Sequence, residues 1–338
     1  MNFQTYRNGL WVLLFPISLV WGIATSLRRR IYPSAWRYRS QLPVLCVGNL
    51  HAGGTGKSPI VAEIANHFRD RGLVVLSRGY RRNERSLGLL DPSLGDRVGA
   101  AKYGDEPWML AKRLKLPVFV GASRKRALRT LETLGQFQRV VMDDGFQHLR
   151  VSPQVSLIVV SADANESDHF LLPLGDLREP VSAIHSASAV VVTGVTESVT
   201  QIEFWRRAAG NIPVFFAKRM VEGLHNGTGA YAPESEERLG GFCAIARPSR
   251  FAHDLRETFG GPMVAQFGDH HFYTDAQVGR LIEKRHDRKM TRLVTTEKDY
   301  YKVRDFFAAR SEPLLYLRIG YQLPDDCWRF LETAWVNG

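Results

Sequence analysis

Cysteine is scarce: only Cys46, Cys243 and Cys327 occur in 338 residues, widely spaced and with no C-x-x-C pair. The histidines show no cluster at zinc spacing. Both absences argue against a disulfide framework or structural metal and for a reducing compartment. Acidic residues are outnumbered, 34 against 45 Lys and Arg, which leaves a formal charge of +11 and a pI near 9.7. Such a balance suits an anionic partner: nucleic acid, phospholipid or a phosphorylated substrate. A nucleic-acid binder is disfavoured because no motif interleaves aromatic with basic residues. A switch GTPase or metallochaperone is disfavoured because no Asn-Lys-x-Asp base-recognition run is present. There is no internal repeat and no low-complexity tract, and 44% apolar residues suit a soluble globular core. The length suits two domains better than one.

Charge is missing altogether from Gly9 to Leu27, nineteen residues closed by Arg28-Arg29-Arg30. That length just reaches the spanning range. Pro16, Ser18, Gly22, Thr25 and Ser26 interrupt the apolar character, so a spanning helix, an interfacial helix and a signal peptide all compete, beside an apolar helix packed on the protein itself. An interfacial or shallowly inserted helix is favoured, with Trp11 and Trp21 at headgroup depth and Arg28 to Arg30 on anionic lipid. The basic flank then keeps the remaining chain on the cytoplasmic side.

What is present centres on one stretch. The apolar run Val44 to Val47 leads into Gly48-Asn49-Leu50-His51-Ala52-Gly53-Gly54-Thr55-Gly56-Lys57-Ser58, and a helical pattern follows from Ile60 to Phe68. Strand, glycine loop and helix in this order make a phosphate-binding loop, in which backbone N–H groups and the helix N-terminus face phosphate oxygens. Gly53, Gly54, Thr55 and Gly56 would wrap the phosphates, Lys57 would reach the β- and γ-phosphates, and Ser58 would hold Mg²⁺. His51 stands where the usual pattern has its first glycine.

Further strands are expected at 73–77, 117–121, 139–143, 155–160, 189–193 and 213–217, alternating with helices, which indicates a doubly wound, mostly parallel α/β sheet. Arg139 to Asp143 followed by Asp144 has the form of a Walker B strand with acid at its tip, although a solvated turn remains the plain alternative. Arg78 and Tyr80 follow the second strand at the sheet end where ligands bind. Asp105, in Gly104-Asp105-Glu106-Pro107, is read first as a helix cap and second as a carboxylate held at the phosphate site. A polar, glycine-rich stretch from Asn226 to Glu237 marks a domain junction. The expected organisation is therefore an apolar membrane-associated helix over 1–30, a P-loop domain over 31–225 and a smaller α/β domain over 226–338.

Taken in order, these motifs resemble the tetraacyldisaccharide 4'-kinase family of lipid A biosynthesis. So do Leu172-Pro173-x-Gly175-x-Leu177-Arg178-Glu179-Pro180, Ile245-Ala246-Arg247-Pro248, Phe267-x-Asp269-His270-His271 and Leu293 to Asp299. The resemblance implies an inner-membrane kinase that uses ATP and Mg²⁺ to phosphorylate the 4'-hydroxyl of an acylated disaccharide 1-phosphate, with no nucleic acid and no obligate protein partner. It also implies that Ser58, Asp143 and Asp144 surround Mg²⁺ and that Asp105 paired with His270 deprotonates the hydroxyl. Arg78, Tyr80 and Glu179 would line the substrate site. Because His270 lies beyond the expected junction, the dyad would need the two domains to close.

Overall fold

A parallel strand buried on both faces must be apolar throughout, and the runs singled out in the sequence are. In a computed structural model describing residues 3–32, 36–80, 82, 86–162, 169–194, 199–260, 263–269 and 271–338, they form mostly parallel sheet flanked by helices. The chain divides into two compact units, one of residues 1–76, 123–219 and 321–338, the other of 77–122 and 220–320.

The first unit carries strands β1 (Val44–Asn49), β2 (Leu73–Ser77), β5 (Arg139–Asp143), β6 (Val155–Ser161), β7 (Ala189–Thr193) and the start of β8 (Val214–His225). They lie in the order β2-β5-β1-β6-β7-β8, every neighbouring pair parallel. Register aligns Val47 with Asp143, so the loops after β1 and β5 leave the same sheet edge side by side. In open α/β sheets that edge is where ligands bind. Helices α1 (Phe3–Ile31), α2 (Lys57–His67), α5 (Arg124–Leu134), α6 (Val199–Ala209) and α10 (Asp325–Leu331) belong to this unit. The C-terminal segment packs on α2: Trp328 stacks on His67 at 4.1 Å, Trp335 meets Phe68 at 5.3 Å, and Arg139 donates to the Val336 carbonyl.

The second unit holds a parallel set in the order β11 (Val264–Gln266), β10 (Leu239–Cys243), β12 (Arg292–Thr296) and β13 (Leu314–Gln322). Two short antiparallel pairings accompany it, β3 (Gly88–Leu89) with β4 (Val118–Val120), and the end of β8 with β9 (Ala230–Tyr231). Its helices are α3 (Asp96–Tyr103), α4 (Asp105–Leu114), α7 (Pro248–Phe259), α8 (Asp275–Asp287) and α9 (Glu297–Ala308).

The units do not follow the chain as consecutive blocks. The stretch expected to be a junction near 226 is the β8–β9 hairpin turn, where the Asn226 carboxamide oxygen accepts from Thr228 and Gly229 N–H at 3.1 Å. The change of unit falls at 219/220, inside the long strand β8, and again at 320/321, inside β13. Turn chemistry and domain boundary share a composition, and only the strand's length separates them.

Helix α1 is inside out. Ser18, Gly22 and Thr25, spaced four and three residues apart on one face, are buried, whereas Val12, Leu13, Ile17, Val20, Ile23 and Leu27 are exposed. Small residues allow close approach: Gly22 lies against Leu171 of the first unit, and the Ser18 hydroxyl donates to the Leu171 carbonyl at 2.9 Å. Within Trp11–Ile31 the most apolar window has a mean hydropathy of 1.5 and is only 11% buried, so by length and composition the helix can cross a membrane. Burying each of those large side chains fully is worth about 1.5–3 kcal/mol, and with half or more of each exposed the protein's own packing collects only part of it.

Candidate active site

The loop from Leu50 to Gly56 connects β1 to α2 and is stapled on one side to a second loop: Ala52 N–H donates to the Asp176 carbonyl at 2.6 Å and Arg178 N–H to the Leu50 carbonyl at 2.7 Å. His51 is buried against Trp205 and His169, with ring centroids 5.8 Å apart in each case. It therefore turns into the core, and the missing glycine costs the phosphate side nothing. Gly56, at φ +82°, is the residue before the helix, and a Cβ there would strike the Tyr321 hydroxyl. Glycine is required at this position for both reasons. Thr55 is buried, its hydroxyl accepting from Asn49 Nδ2 at 3.2 Å and its carbonyl from the Thr193 hydroxyl at 2.8 Å. Nothing stands within 4 Å of a Cβ built on Gly54.

Lys57, the first residue of α2, places Nζ 2.5 Å from Asp144 Oδ1 and 4.0 Å from Asp143 Oδ1. Asp143 is 1% exposed at the tip of β5. Asp144 follows in the left-handed region at φ +53° and is held by its N–H to the Val47 carbonyl at 2.9 Å. Burial works to raise the Asp144 pKa, but Lys57 beside it and Arg178 at 3.3 Å outweigh burial, and the carboxyl sits far below the usual carboxylate range. Arg124, wholly buried at the start of α5, donates from Nη2 to the Asp143 carbonyl at 2.9 Å and to that of Asp144 at 3.4 Å. It fixes the peptides that carry both acids, a role the sequence did not suggest because the residue reads as one of a basic helix.

Ser58, Asp143 and Asp144 offer hard oxygen donors beneath the glycine loop, the donor chemistry Mg²⁺ takes up together with phosphate oxygens. Among the described residues no group of three or more His, Cys, Asp or Glu forms a cation cage. A metal site completed by substrate oxygens needs none.

Glu179 is 2% exposed, and Arg29 of α1 donates to its carboxylate from Nε at 3.0 Å and, more closely, from Nη2. The expected substrate-lining glutamate is thus engaged by the N-terminal helix.

In the second unit, Arg78 and Tyr80 are exposed on the segment after β2, which packs on the start of α4. Gly104 adopts φ +98°, and a Cβ there would meet the Tyr80 carbonyl at 3.0 Å; one on Gly79 would meet the Tyr103 carbonyl at 2.8 Å. Two motifs far apart in the chain are brought together by glycines. Gly104, not Asp105, occupies the cap position of α4, so the cap expected of Asp105 is not made and its carboxylate stands in the first helical turn. Lys298 and Lys302 of α9 each place Nζ 3.8 Å from Asp105 Oδ2, and Lys298 is 3.4 Å from Glu106. Burial disfavours the Lys298 charge, but Glu106, Asp105 and Asp269 restore it and its pKa is raised. Asp299 is fully buried, accepting from Ala244 N–H and the Thr296 hydroxyl at 2.8 Å and pairing with Lys302 at 2.6 Å. The Thr-Glu-Lys-Asp run therefore builds the wall around Asp105. His270, Arg81 and Arg85 lie outside the described residues. Asp269 and His271, which flank His270, belong to the same unit as Asp105.

A glycine loop between a buried strand and a helix, with a lysine at the helix start paired to acid on the neighbouring strand, defines a P-loop nucleotide-binding protein of the α/β class. A family model described as Tetraacyldisaccharide-1-P 4'-kinase (LpxK) matches residues 10–335, and the chain belongs to that family. The tetraacyldisaccharide 4'-kinase of Aeromonas hydrophila is 32% identical over 329 residues, 94% of this chain and 90% of its own. That of Parvibaculum lavamentivorans is 35% identical over 295 residues, 85% of this chain and 80% of its own. The crystal structure of LpxK from Aquifex aeolicus in complex with ATP superposes with a TM-score of 0.75 at 23% identity, over 97% of this chain and 99% of that one. The fold is therefore shared along the whole length.

Proposed function

We infer that this chain transfers the γ-phosphate of ATP to the 4'-hydroxyl of a tetraacylated glucosamine disaccharide 1-phosphate, on the cytoplasmic face of the bacterial inner membrane. The observation that carries the reading is Lys57 paired with Asp144 beneath the glycine loop. Phosphoryl transfer needs positioning and charge compensation more than covalent chemistry. Lys57 and Asp144 neutralise each other, and Lys57 would turn to the phosphate oxygens of a bound nucleotide. Gly53 to Gly56 present backbone N–H groups there.

Ser58, Asp143 and Asp144 are assigned to Mg²⁺, which when bound supplies charge neutralisation on the β- and γ-oxygens. Asp105, with His270, is assigned to take the hydroxyl proton, and Arg78 and Tyr80 to the substrate. Lys298 and Lys302 support this role for Asp105 by compensating its charge. The exposed apolar face of α1 suits an acyl-lipid substrate, because enzyme and substrate then share one phase.

The test is transfer of labelled γ-phosphate from ATP to the tetraacyl disaccharide 1-phosphate in detergent micelles, beside a control without lipid. Lipid-dependent transfer with little hydrolysis in the control is expected. Hydrolysis indifferent to lipid would overturn the reading.

A further inference from the structure

A helix that served only to hold the protein on a bilayer would turn its basic end toward headgroups. The last turns of α1 do otherwise. Arg28 is half exposed, but Arg29 is turned inward with its side chain 13% exposed, on the same face as Ser18, Gly22 and Thr25. Its guanidinium closes on the buried Glu179, donates from Nη2 to the Phe146 carbonyl at 3.3 Å and lies 4.2 Å over the Phe146 ring. Arg28 donates to the Gln147 carbonyl at 2.7 Å, and Trp21 Nε1 donates to the Arg178 carbonyl at 3.0 Å.

Each of these acceptors adjoins the phosphate site. Phe146 and Gln147 directly follow Asp144 and Gly145, and Phe146 packs on Gly48 at the exit of β1. Arg178 is gripped on both sides, its N–H on the Leu50 carbonyl of the phosphate loop and its own carbonyl on Trp21, while its guanidinium bears on Asp144. A buried Arg–carboxylate pair is costly to desolvate, and removing one member strands the other. Its presence between a membrane helix and a catalytic loop asks for a function.

We propose that the end of α1 is part of the phosphate site's scaffold, with Arg29 as a positioning residue that, through Glu179 and Phe146, holds the Arg178 guanidinium on Asp144. The proposal rests on the phosphoryl-transfer reading above. It makes the apolar helix a structural member of the site as well as its attachment to lipid.

The experiment uses the full chain in detergent micelles, where attachment to a bilayer is not at stake. Arg29→Met, Arg29→Lys, Glu179→Gln and the double variant Arg29→Met with Glu179→Gln are compared with Arg30→Met, which removes the same charge from the same turn. Arg29→Met and Glu179→Gln are each expected to lower kcat by about 10-fold or more, the usual effect of a residue that orients a metal-site ligand. KM for the lipid should stay nearly constant, and the double variant should be little worse than either single one. Arg29→Lys should fall between. Amide exchange should rise over 144–149 and 171–180 in Arg29→Met but not in Arg30→Met. Equal losses for Arg29→Met and Arg30→Met, a loss carried wholly by KM, multiplicative losses in the double variant, or unchanged exchange would each overturn the proposal. If Arg29→Met fails to fold, Arg29→Lys and Glu179→Gln decide by the same criteria. A wild type inert toward the disaccharide would overturn the kinase reading instead, and the exchange measurement would still decide the scaffold.

Discussion

Lys57 and Asp144 show how much of a site can be charge arranged in advance. Replacing Lys57 by Ala should lower transfer by about 10²–10³-fold, the scale of losing one preorganised electrostatic donor, while the fold stays intact by circular dichroism; normal turnover would remove the loop from the mechanism. Asp144 is held below the usual carboxylate range in the folded state. Its contribution to stability is therefore complete above the unfolded pKa of about 3.9 and is lost as pH falls through the lower folded value. The Tm difference between the wild type and Asp144→Asn should be constant from neutral pH down to about 4 and should shrink only below that. For the proposed base, Asp105→Ala and His270→Ala should lower kcat by similar factors, and the double variant should add little. Multiplicative losses would mean that they act independently. These residues were legible in the sequence because the phosphate loop and the acid-tipped strand are local patterns. Arg124, Lys298 and Lys302 were not, because only the fold turns them toward Asp143, Asp144 and Asp105.

Among elements, the buried parallel strands were the easiest to read, since a run such as Ala189 to Thr193 is apolar on both faces. Helix α3 was missed: its place depends on Asp96, which accepts from the Trp108 indole at 3.0 Å and pairs with Arg304, and neither contact leaves a periodic trace. Helix α1 was legible as apolar, but not as inside out, because its packing face is made of Ser, Gly and Thr. Two kinds of substitution should separate its faces. Val20→Ser with Ile23→Ser should weaken co-flotation with vesicles and leave Tm unchanged, whereas Gly22→Leu, driven into Leu171, should lower Tm by several degrees, read by thermal unfolding in detergent. A reversed pattern would mean that the faces are assigned the wrong way round.

For the molecule as a whole, a net charge of +11 joins an exposed apolar helix. Vesicles containing anionic lipid should bind it more tightly than neutral ones, and the difference should fade as salt rises, because each basic group near the surface contributes about 1 kcal/mol and is screened within a Debye length. Binding insensitive to lipid charge would leave the apolar face as the sole attachment. The sequence implied two α/β bodies, yet not their composition, since nothing in residues 77–122 or 321–338 announces which body they join.

The packing of Tyr321 on Gly56, and of Trp335 on Phe68, has a consequence for how the protein comes to exist. A ribosome releases the glycine loop well before the residues that brace it. The nascent first unit must wait, its phosphate loop unbuttressed, until those residues emerge, a period in which chaperones rather than native contacts guard its apolar strands.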